Sequence, residues 1–145
     1  MLKLILKLPK NPTGTSQQKG LSNGHIYTKP EVTRQRNIYQ VAIGKALKEE
    51  AKAKGIQILR TIPFDGPVSI RIIFHFAVKD RKKWDKYKPS APDLDNVEKL
   101  LLDAMTDCGI WHDDRQVSIK HSEKLFSSEP FIEITVGNVI EEVEG

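Results

Sequence analysis

The amino-acid sequence predicts an α+β fold: a mixed sheet of about four strands with two helices packed on it, in a single domain spanning 1–145. Three observations carry this. Val68, Ile70, Ile72, Phe74, Phe76 and Val78 occupy alternate positions, the period-two signature of a strand with one buried face. Two other segments repeat apolar residues at three- and four-residue spacing, as a helix face does. Strand and helix signals also alternate along the chain, roughly β-α-β-α-β-β, which favours a sheet with helices laid on it over separate blocks.

Each element has its own justification. Leu2, Leu4, Leu6 and Leu8 alternate with Lys3, Ile5 and Lys7 and predict a first strand. Residues 9–29 are rich in Pro, Gly, Ser, Thr, Asn and Gln and read as a polar arm or loop, a length tied either to function, as a DNA-contacting arm, or to disorder. Val32, Gln35, Tyr39, Ala42, Ile43, Ala46 and Leu47 give residues 31–54 a helical face, with Gly55 as its stop. After the strong strand comes a charged loop, 79–92, ending in two prolines. Val97, Leu100, Leu101, Ala104, Met105 and Cys108 then line one side of a second helix closed by Gly109. Residues 117–119 and 131–136 read as two further strands, with Ser127, Ser128 and Pro130 between them.

Composition narrows the function. One cysteine, Cys108, excludes an internal disulfide framework. No apolar run reaches the roughly 18 residues of a membrane span, and the start lacks the apolar core of a signal peptide; a soluble, cytoplasmic protein is expected. The formal net charge is +4, and it is polarised. Residues 79–88 hold six basic side chains against Asp80 and Asp85, whereas acids gather between Asp93 and Asp114 and in the tail. A basic stretch carrying Trp84 and Tyr87 beside an acidic cluster suits a nucleic-acid partner.

The acidic stretch Asp93-Leu94-Asp95-Asn96-Val97-Glu98-Lys99 has two readings. In the first, Asp93 or Asp95 caps the second helix, with Glu98 completing a capping box. Carboxylates there gain about 0.3–1 kcal/mol from the helix dipole, and Lys99 makes a surface pair with Asp95 worth about 0.2–0.5 kcal/mol. In the second, Asp93 and Asp95, with Cβ atoms roughly 6.6–7 Å apart at extended spacing, hold a hard cation. Asp113 or Asp114, past the far end of the helix, would join them. Three converging carboxylates repel by about 2.8 kcal/mol per pair at ~6 Å and an effective dielectric near 20, so such a cluster needs bound cations, a lysine nearby or raised pKa values.

Together with Leu102-Asp103-Ala104-Met105 and Trp111-His112-Asp113-Asp114-Arg115-Gln116-Val117, this stretch resembles the RusA family of Holliday-junction resolvases, magnesium-dependent endodeoxyribonucleases of bacteria and their phages. The family pattern is Asp-x-Asp-Asn, a lysine one turn on, an Asp-Ala inside the helix, and Asp-Asp-x-Gln after a glycine. The resemblance implies a RusA-like α+β fold and a Mg²⁺ cofactor held by Asp93, Asp95 and Asp114. It makes Lys99 the active-site lysine and leaves Asp113 a supporting role and Asp103 a role in the fold. It also implies a homodimer that cuts branched DNA, the four-way junction, by paired symmetric nicks, with no organic cofactor and no membrane. Arg81, Lys82, Lys83 and Lys86 are the expected phosphate contacts. Flaps or forks as substrates, and a silent branched-DNA binder, are the alternatives. His25, His75, His112 and His121 lack zinc-site spacing, and no Walker-type phosphate loop is present.

Overall fold

The computed structural model describes residues 1–14, 19–22, 25–28 and 30–140, the backbone alone within 19–28. The rest of the polar stretch and the acidic tail lie outside the described residues. Four strands form the main sheet: β1 (Leu2–Lys7), β4 (Val68–Ala77), β5 (Val117–Ser127) and β6 (Phe131–Asn138). Their spatial order is β1-β6-β4-β5. The pairs β1–β6 and β6–β4 are antiparallel, and β4–β5 is parallel. Both edges of β4 are therefore taken, as befits the most apolar strand. Two helices, α1 (Pro30–Lys54) and α2 (Leu94–Asp107), complete the expected architecture.

The polar arm is not loop throughout. It contains a small antiparallel hairpin, β2 (Lys19–Ser22) with β3 (His25–Thr28), apart from the main sheet. Four-residue strands carry too short a pattern to stand out among Gly, Ser and Asn. The fifth strand is also longer than the expected 117–119, running to Ser127.

The alternating residues do what their period requires. Leu2, Leu4, Leu6, Ile70, Ile72, Phe74, Ile132, Ile134 and Val136 are all buried. Val32, Tyr39, Ala42, Ile43 and Ala46 of α1, and Val97, Leu100, Leu101, Ala104 and Met105 of α2, close over them. A fully buried Leu or Ile contributes about 1.5–3 kcal/mol, so this layer fixes where α2 sits.

The feature that matters for function is the β4–α2–β5 crossover. A parallel pair needs such a connection, and it places the start of α2 beyond the carboxyl end of β4. Ligands of open α/β sheets bind outside the carboxyl ends of strands, and the acidic stretch lies there. The far end of α2 closes in a Schellman turn: Ile110 N–H donates to Met105 O at 3.1 Å and Gly109 N–H to Thr106 O at 3.1 Å. Gly109 takes φ +74° to make it.

Candidate active site

The capping reading of the acidic stretch fails on geometry. The residue at the N-cap of α2 is Asp93, and its side chain makes no capping hydrogen bond. Asp95 lies inside the first turn, and Glu98 does not reach back to complete a box. Glu98 is instead buried and paired with Lys120 of β5 at 2.5 Å. Asp93 and Asp95 are both exposed, so neither carboxylate is spent on the fold. Lys99 also departs from expectation. Its ammonium lies 3.9 Å from Asp103, one turn further along, rather than pairing with Asp95.

What holds this helix start in place comes from two other segments. Lys124 of β5 is in register with Phe74 and so points to the helix side of the sheet. Its ammonium donates to Ser90 O at 2.9 Å and to Pro92 O at 2.8 Å. These are the carbonyls just ahead of Asp93. From the other side comes the segment after β1. Asn11 exchanges two hydrogen bonds with the Ala77 backbone, at 2.7 and 3.3 Å, and Pro12 is buried. Gly14 then packs on the first turn of α2 so closely that a Cβ there would lie 2.8 Å from the Asn96 carbonyl carbon and 2.9 Å from Val97 N. Between them Pro12, Thr13, Gly14, Ala91, Pro92, Asp93 and Asn96 line a cavity of about 500 Å³.

The second acidic pair is divided in role. Asp113 is the N-cap of a short turn, Asp114–Gln116, and forms a capping box with Gln116. Gln116 Oε1 accepts from His112 and Asp113 N–H at 2.8 and 2.9 Å, while Nε2 donates to Phe64 O and Gly66 O at 2.8 and 3.0 Å. Gln116 thus staples the turn to the chain entering β4. Arg115 holds the Asp113 carboxyl below its ordinary range through a backbone and a side-chain hydrogen bond. Asp114 has no such support. Burial, the Asp113 carboxylate and Asp103 push its carboxyl up, and Lys99 pulls the other way. Asp114 thus feels the charges of both Lys99 and Asp103 of α2, although Asp103 was expected to serve the fold.

Among the described residues, no three His, Cys, Asp or Glu stand where they would together hold a metal ion. A closed three-carboxylate cage of Asp93, Asp95 and Asp114 is thus not preformed. The donors nonetheless fit Mg²⁺ chemically. All are hard oxygens, one is an N-cap carboxylate with no capping bond, and Mg²⁺ typically takes one or two carboxylates and completes its shell with water and substrate phosphate.

The basic stretch is more ordered than a solvated loop. Residues 81–83 form a turn capped by Asp80, and Asp85 adopts φ +65°, a left-handed conformation aspartate tolerates. The chain then runs along the free edge of β5. Asp85 N–H donates to Phe126 O, Phe126 N–H to Lys86 O, and Lys88 N–H to Lys124 O, each at 2.9 Å. Trp84 is half-buried, its Nε1 donates to Val78 O at 2.8 Å, and the Arg81 guanidinium lies 5.6 Å from its ring centroid. Tyr87 is 71% exposed. Arg81, Lys82, Lys83 and Lys86 are all exposed. Of the histidines, His75 is buried and stacked on Phe131 with centroids 3.8 Å apart, and His112 bonds Asp65 at 2.7 Å.

Sequence reasoning passed over Lys124, Ser90 and Gly14, and counted Lys88 only as one of the six basic residues of 79–88. For Lys124 there was a signal: it shares strand phase with Phe126, so an extended 117–127 would have aimed it at the helix layer.

Exposed carboxylates at the head of a crossover helix stand near an exposed basic segment, an arrangement compatible with proteins that act on a polyanion. The chain belongs to the RusA family: a family model described as Endodeoxyribonuclease RusA matches residues 9–137. It is also 36% identical over 73 residues to a protein of Lactococcus phage r1t named crossover junction endodeoxyribonuclease rusA. That alignment covers 50% of this chain and 56% of the phage protein, so the chain spans little more than half of that relative's length.

Proposed function

We propose that this chain is a Mg²⁺-dependent endodeoxyribonuclease that resolves four-way DNA junctions by paired symmetric nicks. The observation that carries the reading is Asp93, an aspartate at a helix N-cap that makes no capping bond. A carboxylate held at that position without a local partner suits a cation and a phosphodiester. Asp93 and Asp95 bind the metal from the helix start, and Asp114 approaches it from the turn at the far end. When bound, the ion supplies an activated water and neutralises charge on the phosphate. Lys99, exposed and one turn into the helix, adds a positive charge toward the developing phosphorane. Asp114, its carboxyl raised by burial and acidic neighbours, would be the third carboxylate offered to the ion, and a bound cation would favour its ionised form.

Two opposed nicks require two sites, so the working unit is a homodimer. The experiment is cleavage of a synthetic four-way junction, a flap and a linear duplex, with Mg²⁺ or EDTA. Junction-selective, Mg²⁺-dependent cutting with symmetric ends is expected. Preferred cutting of the flap would replace the substrate, and junction binding with no cutting in Mg²⁺ would leave only a binding protein.

A further inference from the structure

We propose that Lys83, Lys88 and Lys124 form a seat for a phosphodiester group of the strand that leads into the acidic site. The inference takes its ligand class from the nuclease reading and adds a binding position to it. The three lysines come from different places, the turn, the edge segment and β5, and meet on two shared supports. One is the Phe126 ring, which carries Lys83 Nζ at 5.7 Å and Lys88 Nζ at 5.4 Å from its centroid; Lys88 also lies 5.5 Å from the Phe76 centroid. The other is Ser90: Lys88 Nζ donates to its hydroxyl at 2.6 Å, and Lys124 Nζ to its carbonyl at 2.9 Å.

Among the described residues none of the three has a carboxylate within 4.0 Å, so their charges are not neutralised by the fold. Three like charges gathered on the Phe126 ring and on Ser90 repel one another and lose hydration. Burial first, then Lys124 and Lys83, push the Lys88 ammonium below its ordinary range. A phosphodiester relieves both penalties, and Ser90 Oγ offers a further hydroxyl beside it. The seat is also correctly placed. Lys124 holds the Pro92 carbonyl at 2.8 Å, one residue before Asp93, so a strand anchored here passes directly to the candidate metal ligands.

The test is binding of a fluorescent four-way junction in EDTA across a salt series. Each lost phosphate contact should flatten the log–log salt dependence by about 0.9 and weaken binding roughly eightfold at 0.1 M salt. Lys88→Gln should show this, and Lys83→Gln with Lys88→Gln should show it about twice over. Lys88→Arg should retain the parental slope. A control removing equal charge from α1, Lys48→Gln with Lys52→Gln, should barely change it. Melting temperatures report whether each variant folds, and Lys83→Gln alone, at an exposed position and with the same expected flattening of about 0.9, carries the comparison if Lys88→Gln does not. An unchanged slope in the seat variants, or an equal loss in the α1 control, overturns the seat while leaving the nuclease reading intact. A parent protein that neither binds nor cuts branched DNA overturns both.

Discussion

The two ends of α2 treat aspartate in opposite ways. At the carboxyl end Asp107 faces an unfavourable dipole, and the fold compensates it fully. Arg36 Nε and Nη2 grip its two oxygens at 2.5 and 2.7 Å, and Gln40 adds a bond at 2.8 Å. At the amino end the dipole favours Asp93 and Asp95, yet Asp93 makes no capping bond and both carboxylates face solvent. The turn repeats the contrast between neighbours, with Asp113 locked in a capping box and Asp114 crowded by acids. An acid that serves the fold acquires partners from the chain. One held near the site without them is available to a ligand, so removing the first should cost stability and removing the second should cost activity.

That division can be broken or sharpened by mutation. Losing a hard-cation ligand forfeits several kcal/mol of transition-state stabilisation, so Asp95→Asn or Asp114→Asn should lower junction cleavage by roughly 10²–10³-fold. Their melting temperatures should stay within about 2 °C of the parent or rise. A large drop in melting temperature would move these residues to the structural side. Lys124→Met tests the grip on the chain ahead of Asp93. It should raise the Mg²⁺ concentration for half-maximal cleavage about tenfold or more, as loss of an outer-shell partner does, with Lys124→Arg closer to the parent. An unmoved Mg²⁺ midpoint would show that the two carbonyl bonds do not position the carboxylate.

The smallest effect is expected at the far end. Arg36 is 38% exposed, so solvent screening leaves the Asp107 pair worth about 0.5–1 kcal/mol. Asp107→Asn should lose that in chemical denaturation and keep parental cleavage. The Arg36 hydrogen bond, aided by Gln40 and outweighing burial, holds the Asp107 carboxyl below its ordinary range. Its contribution is therefore complete above the unfolded pKa of about 3.9 and is lost as the pH falls through the lower folded value. Parent and variant should differ at pH 7 and converge in acid. A gap that persists at the lowest pH would trace to packing instead.

Much of this molecule was legible in its sequence because its core is strictly periodic. Every even residue from Val68 to Phe76, and the helix face from Val97 to Met105, is buried as the pattern requires. Legibility failed where pattern is lost to partnership. The middle of β5, Lys120-His121-Ser122-Glu123-Lys124, is polar on both faces, because its helix-side lysines reach up to Glu98 and to the turn before α2. No periodicity could announce that strand. The acidic motif was readable through its match to the family pattern, where spacing alone left two readings open, but the influence of Asp103 and Lys99 on Asp114 depends on a turn built by Gln116 and on a helix length, neither of which local sequence displays.

Gly14 has a consequence for how this molecule can vary. The chain is pinned at Asn11, Pro12 and Gly14 before it enters the β2–β3 hairpin, and the pairing of Lys19 with Thr28 brings the two ends of that hairpin side by side. The two strands of the hairpin therefore form a cassette. They can be shortened, lengthened or exchanged for another sequence at a modest loop-closure cost while the carboxylates stay where they are. A deletion joining 14 to 30 through a short Gly-Ser link should keep the Mg²⁺ midpoint of the parent and change only which DNA it prefers. Gly14→Ala, a single methyl group, should disturb the metal site more than the loss of the whole cassette.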